Sequence, residues 1–441
     1  MRKAILALAA SALSITLSVT GASAQEAPAS PATYIHAGRL LDQPGQSPRG
    51  HSTIIVRDGR VAEVRDGFAA PEPGAKLVDL SKSFVLPGLI DMHVHLLGVG
   101  GDPVKARMTA LNRDDADDLM MGVANAHTTL LAGFTTVRDL GSNARSIRAL
   151  RDAQAQGLID APTIVNAGMG IAVTGGHGDQ TNGVAETFAN AVDPHQFHLC
   201  DGPDDCRRAV RRQVGLGAEV IKFKATGGVL SNVSGGLGRA MTPEEMRAIM
   251  DTSHELGRKV AAHSHGVEGT RAAVDAGVDT IEHGSFLDDK AIASMKQHGT
   301  WLVPTMLAPA TAAQQAESGA LPPSVLPKAR EAVNAARESH RKAIAAGVKI
   351  AFGTDTGVSK HGDNAKEFAL MVDAGMTPAA AIRAATVDAA TALDRSDRFG
   401  RIAPGFDADI IAVDGDPLAE VRQLEDVDFV MKRGKVVKSL D

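Results

Sequence analysis

Side chains that can bind a divalent cation or carry a proton recur where short β-type runs end. His93 and His95 close the run VLPGLIDMHVH, His263 closes KVAAH with His265 two residues on, His283 closes DTIEH, and Asp355 closes KIAFGTD. Residues i and i+2 of a strand point to one side, so His93 and His95 offer two imidazoles to the same space. Neutral imidazoles and a carboxylate are natural ligands for a divalent transition metal. A single His-x-His is as often a packing feature as a ligand pair, and the repetition at four strand ends is what carries weight. The run VIKFKATGG adds Lys222 and Lys224, again two apart and on one face. Burial disfavours a charged amine. A neutral amine can add carbon dioxide to give a carbamate, a carboxylate able to bridge two metals, and a hydroxide held between them has its pKa lowered to about 7. A snorkelling or salt-bridged lysine is the plainer reading, and it suits Lys224 better than Lys222.

The elements that must position these groups alternate. From Phe84 to about Leu393, eight apolar or β-branched runs (VLPGLIDMHVH, TTVRDL, PTIVNAG, VIKFKA, KVAAH, DTIEH, WLVPT, KIAFGTD) are separated by amphipathic helical stretches. Predicted helices include 204–217, 242–257 (Thr242 as N-cap, Pro243 at the first turn, Gly257 closing it) and 328–347. Eight strand–helix pairs over this length predict an α/β fold, a (β/α)8 TIM-type barrel whose reactive groups sit at the C-terminal ends of the strands. The two chain ends read as short antiparallel strands with turns at Asp58-Gly59 and Arg433-Gly434. Each is too small for a core of its own, so they are expected to pack together as one small β-sandwich. The expected division is 1–24 as a signal peptide, 25–85 and 394–441 as the two parts of the sandwich, and 86–393 as the barrel.

Composition narrows the function. The chain has 441 residues and a net charge of −6, with 46 Lys and Arg against 52 Asp and Glu, which disfavours a nucleic-acid partner. Aromatics make up 3%, too few for a stacked ring cage, whereas 45 glycines suit many tight loops on a rigid frame. Arg2 and Lys3, the apolar stretch to Val19 and the small residues ending at Ala24 read as a cleavable export signal, predicting a secreted or periplasmic protein without a membrane anchor. Cys200 and Cys206, the only cysteines, lie in the loop HLCDGPDDCRR. In an oxidising compartment they are expected to form a disulfide in preference to a zinc site with His198.

Taken in order, LPGLIDMHVH, TTVRDLG, IKFKATGG, IEHG, GTD and GRIAPGFDADIIAVD resemble the motifs of the amidohydrolase superfamily, and within it the imidazolonepropionase-like branch. That branch includes Xaa-Pro dipeptidases, other carboxypeptidase-like enzymes and ochratoxin-hydrolysing amidases. The resemblance implies a distorted (β/α)8 barrel with a β-sandwich from both chain ends. It also implies two divalent cations; mixed histidine and carboxylate ligands suit zinc, and manganese or cobalt would fit. His93, His95 and Asp355 would hold the more buried one, His263 and His283 the other, and carboxylated Lys222 would bridge them. It is the resemblance that selects Lys222 over Lys224 and His263 over His265. The implied reaction is hydrolysis of a small-molecule amide or dipeptide, at the bond to a C-terminal amino acid. A hydroxide between the metals attacks the carbonyl, and Asp355 acts as general base and then acid. His177, in the Gly175–Gly178 loop, His265 and Lys224 are candidate substrate residues, and 227–238 is a second glycine-rich loop of the same kind. The resemblance also implies a homo-oligomer. His36, His51, His127, His254, His298, His340 and His361 match no site motif and read as surface or packing residues. A lactonase or cyclic-amide hydrolase would use the same metals. A mononuclear deaminase is disfavoured because Gly266 stands where His-x-x-Glu needs its acid, and a non-catalytic binding relative because no ligand is missing.

Overall fold

The computed structural model describes residues 31–100, 112–182, 184, 185, 187, 196–229, 236–317 and 326–439. The expected signal peptide at 1–24, and residues 230–235 of the second glycine-rich loop, lie outside them. Among the described residues no helix is long and apolar enough to cross a membrane.

Both chain ends enter one seven-stranded sheet. It contains β1 (Thr33–Leu40), β2 (Ser52–Arg57), β3 (Arg60–Asp66), β4 (Lys76–Pro87), β12 (Ile410–Val413), β13 (Phe429–Lys432) and β14 (Lys435–Lys438) in the order β14-β13-β12-β4-β1-β2-β3. The long strand β4 is the joint, parallel to β1 on one side and antiparallel to β12 on the other, with Val85 opposite Ala412. The turns fall at the expected positions. Asp58 and Gly59 have φ of 48° and 76°, Arg433 and Gly434 of 47° and 79°, the left-handed pairs that match the twist of a hairpin. One apolar cluster takes in Ile54 and Val61 from one end of the strand order and Phe429 and Met431 from the other. Backbone bonds from Val61 N to Phe406 O (2.9 Å) and from Ala408 N to Gly59 O (2.9 Å) hold those ends together. The sheet therefore curls around its own core, where two separate sheets were expected.

Among the described residues, seven parallel strands lie between these ends. β5 (Leu89–Val94), β6 (Phe134–Asp139) and β7 (Thr163–Asn166) form one sheet; β8 (Val220–Lys224), β9 (Lys259–Ser264), β10 (Thr280–His283) and β11 (Trp301–Val303) form another. Beyond β7, Ile171 exchanges backbone bonds with Lys222 O (2.7 Å) and Lys224 N (2.9 Å) of β8. At the far edges the eighth run is an irregular extended segment. Ala351 N reaches Leu302 O (2.9 Å) beside β11, while Met92 N reaches Phe352 O (2.9 Å) and Asp355 N reaches His93 O (2.7 Å) beside β5. Its regularity is lost at Asp355, whose φ of 58° is incompatible with a strand. Fully buried Asp91 holds the segment in place by accepting from Thr354 Oγ1 (2.7 Å) and Asn364 Nδ2 (2.8 Å).

The predicted helices appear within two residues of their expected bounds, as Pro203–Gly215, Pro243–Glu255 and Leu326–Ala345. Thr242 caps the second of these in a reciprocal box with Glu245, an arrangement worth about 1 kcal/mol. Ile90, Met92, Val220, Ala261, Val303 and Ala351 belong to one apolar cluster within the strand segments. The reactive groups thus rest on packed strand interiors, with loops only beyond them.

Candidate metal centre

Two groups of metal-competent atoms gather at the C-terminal ends of the strands. His93, His95 and Asp355 form one and His263, His265 and His283 the other, with the ligand atoms of each group within 4.8 Å of one another. The His93 and His283 rings, 5.1 Å apart, link the groups. All six predicted imidazole and carboxylate groups are therefore brought together.

Hydrogen bonds fix which ring nitrogen is free. His95 Nδ1 meets the carbonyl of Gly141 at 2.8 Å, and His93 Nδ1 meets Glu282 Oε2 at 2.9 Å. Both partners accept, so Nδ1 carries a proton in each ring; His93 Nε2 is left with its lone pair, whereas His95 Nε2 also faces Asp355 Oδ1 at 3.0 Å. His283 Nδ1 lies 2.8 Å from Thr305 Oγ1, whose own proton goes to Pro304 O (2.8 Å), so this ring too leaves Nε2 open. His265 Nδ1 rests on Ser285 Oγ at 2.8 Å. His263 is turned the other way: its Nε2 faces Gly227 O at 3.4 Å, which leaves Nδ1 open.

The backbone is unusual where these groups are placed. His283, Thr305 and Asp355 have φ of 72°, 49° and 58°, conformations that cost roughly 1–3 kcal/mol each without glycine. In β10, Glu282 pairs with His263 and shares its face. Strict alternation would turn His283 away, and the positive φ returns it to the cluster.

Charge follows from burial. The imidazoles of His93, His263 and His283 are held well below the usual range, by burial first and then by neighbouring Lys222 or histidines, and His265 is pushed down to about 3 by burial. They are neutral, as metal ligands must be. Burial also lowers His95, but the Asp355 carboxylate 3.0 Å away outweighs it and raises the ring overall. Burial alone would raise Asp355; His93 and His95 instead draw it down to about 2.

Lys222 is 1% exposed, and its Nζ has no hydrogen-bond partner. Burial, ahead of the neighbouring charges, drives this amine well below its usual pKa. A buried, partnerless amine beside two groups of imidazoles and one carboxylate fits a divalent cation pair, whose bridging ligand it would become. Lys224, also lowered by burial, lines the cavity with His177 and His265. The His177 ring lies 4.3 Å from that of His263, and a Cβ on Gly228 would fall 2.5 Å from it, so residue 228 approaches this ring so closely only because it is glycine. The cavity, of about 260 Å³, has these groups as its floor; Pro304, Ala308, Pro309, Ala312, Ala332 and Val358 form an apolar wall.

Sequence reasoning passed over several supporting groups. Arg138 and Glu282 are fully buried and paired at 2.8 Å behind His93. Buried His340 meets the His283 carbonyl through Nε2. Glu367 accepts from Met306 N (2.8 Å) and Leu307 N (2.6 Å), anchoring the segment that carries Thr305. Burial pushes this carboxyl up to about 8 against 4.5. The folded protein then keeps a proton that the unfolded chain releases, so wild-type stability falls as pH rises from about 4.5 to about 8. Glu367→Gln removes that slope. Its melting temperature relative to wild type is expected to rise between pH 5 and pH 8 by the equivalent of a few kcal/mol, whereas a pH-independent difference would contradict the assignment. Cys200 and Cys206 are joined by a disulfide, and His198 turns its Nε2 to Gly178 O at 2.9 Å.

The sequence profile of the amidohydrolase family matches residues 84–437. An ochratoxinase of Aspergillus niger is 30% identical over 424 residues, covering 92% of this chain and 86% of that protein. The crystal structure of a Xaa-Pro dipeptidase with methionine bound in its active site superimposes with a TM-score of 0.88 at 38% identity, over 92% of this chain and all of that one. A prolidase complexed with N-methylphosphonate-L-proline gives 0.83 at 29% identity, over 92% of this chain and all of that one.

Proposed function

The chain belongs to the amidohydrolase family, and on that premise we propose that it hydrolyses the amide bond to a C-terminal amino acid, using two divalent cations held at the cavity floor. The observation that carries this reading is the buried, partnerless amine of Lys222 beside two sets of oriented imidazoles. His93, His95 and Asp355 hold one cation and His263 and His283 the other. The open Nδ1 of His263 and its place in register with Lys224, on the inward face of β8 and β9, support it over His265. Lys222 would serve as a ligand to both ions as its carbamate, formed when Nζ adds carbon dioxide and loses a proton. When bound, the ions, zinc by ligand type, supply a hydroxide at neutral pH and polarise the carbonyl.

The remaining work falls to the chain. Asp355 Oδ1 lies 3.5 Å from His93 Nε2 and 3.0 Å from His95 Nε2, which leaves its second oxygen to take up a proton and pass it to the departing amine. Lys224, among the described residues the one lysine or arginine that lines the cavity, meets the substrate carboxylate, with His177 and His265 beside it. The apolar wall takes the substrate's hydrocarbon portion, since a polar group there would be buried unpaired.

The reading extends to the whole chain. Residues 86–393 form a closed eight-stranded barrel, with the irregular segment at 349–356 as its eighth strand. The described parts of 25–85 and 394–441 form the smaller domain, a single curled sheet. Residues 1–24 direct export to the periplasm or the medium, which the disulfide favours, and the mature chain assembles as a homo-oligomer.

A panel of Xaa-Pro and Xaa-Phe dipeptides, N-acyl-phenylalanine, ochratoxin A and simple lactones tests the reaction. Amine release that stops with chelator is the expected result. Acid release from lactones alone would replace the amide reading, and chelator-resistant turnover would remove the metals from it.

A further inference from the structure

Behind His93 lies a chain of charged groups that touches neither substrate nor cation. Arg138 and Glu282 are 1% and 0% exposed, and Glu282 divides its two oxygens between different tasks. Oε1 accepts from Arg138 Nη2 at 2.8 Å and from Thr280 Oγ1, while Oε2 accepts from His93 Nδ1 at 2.9 Å. Arg138 spends its other donors on Met92 O (2.6 Å, Nε) and Thr280 Oγ1 (3.1 Å, Nη1). The guanidinium is permanently charged and only donates, so it demands an acceptor and keeps one carboxylate oxygen for itself. The second oxygen then has a single use open to it, the Nδ1–H of His93.

We propose that Arg138 and Glu282 are positioning residues that lock His93 in its Nδ1–H tautomer, so that Nε2 is open to a cation before any cation arrives. The inference rests on the metal reading of the site and adds the device that prepares its innermost ligand. It makes an asymmetric prediction for a near-isosteric change. Glu282→Gln supplies one acceptor and one NH2. Arg138 takes the oxygen, because two sets of donors cannot face each other, and the NH2 is left facing His93. Nδ1 must then present its lone pair, the proton moves to Nε2, and that atom is closed to the metal. Removing the demand reverses the effect. In Arg138→Met with Glu282→Gln, the amide oxygen is free to turn to His93 and the Nδ1–H form returns.

The test uses the full mature chain. Histidine 15N–1H correlation spectra of the metal-free protein report the tautomer, with His93 assigned by difference from His93→Ala. Zn2+ titration against a competing chelator reports affinity. Wild type is expected to show Nδ1–H at His93. Glu282→Gln is expected to show Nε2–H and to bind the ion at this site at least about 10-fold more weakly. The double variant is expected to recover Nδ1–H and most of the lost affinity, a rescue that a merely structural role would not give. Nδ1–H persisting in folded Glu282→Gln, or a folded double variant that binds no better than that single variant, overturns the proposal. A wild-type chain that binds no Zn2+ overturns the metal reading instead, a result separate from the tautomer seen without metal.

Discussion

Asp355→Asn is expected to keep both cations and lose about 10³-fold in kcat. The amide preserves the shape of the side chain and one oxygen that can sit beside His93 and His95, where Oδ1 now lies 3.5 and 3.0 Å from their Nε2 atoms. What it cannot do is accept a proton. Against the effect of burial, the two histidines draw its carboxyl down to about 2, so the side chain faces the cluster as an acceptor. It is therefore ionised throughout the neutral range. The left-handed backbone at residue 355 aims the side chain at the cluster and is kept by the substitution, since Asn tolerates that conformation as well as Asp does. Steady-state kinetics with metal analysis of the same sample decide the matter. Near-normal turnover would remove Asp355 from the proton path, and loss of the metals together with activity would make it a ligand only.

Lys222→Met is expected to act in opposite directions on stability and on function. A buried amine without a hydrogen-bond partner costs roughly 1–3 kcal/mol in the folded, metal-free protein. A thioether of similar length fills the space without that cost, so the metal-free variant should melt higher than metal-free wild type. The same change removes the bridging carboxylate, and affinity for the cation pair should fall by about 10²-fold or more, with activity following. Lys222→Arg should not restore either, because a guanidinium does not lose its proton and cannot form a carbamate. In Lys222→Ala the shortened side chain leaves room for a small carboxylate such as formate, and added formate is expected to restore part of the activity. Wild-type affinity in Lys222→Met would end the bridging role.

Much of the site was legible because a strand has period two. His93 with His95, Lys222 with Lys224 and His263 with His265 are pairs that spacing alone places on one side. His283 was found because it ends a run, but spacing assigns it the wrong face, and only its positive φ explains how it joins the cluster. The eighth run was expected as a strand like the others; Asp355 breaks it, at the residue the site needs most. Arg138 and Glu282 gave no usable signal, since a charged residue in a strand ordinarily reads as its solvent face, and only the tertiary pairing at 2.8 Å makes their burial tolerable. Hydrophobic alternation at the chain ends implied a small core. Whether two sheets or one curled sheet would enclose it depends on β4, which pairs on both edges, a partnership that local pattern does not encode.

Two cations that act together on one carbonyl fix the stoichiometry of activity, which a stepwise metal titration reads. Metal-free protein receives Zn2+ in increments, and amine release from a substrate identified in the panel is followed against bound metal per chain. Activity that reaches its plateau only as the second equivalent binds is the expected result. Full activity at one equivalent per chain, or activity indifferent to metal, would contradict it.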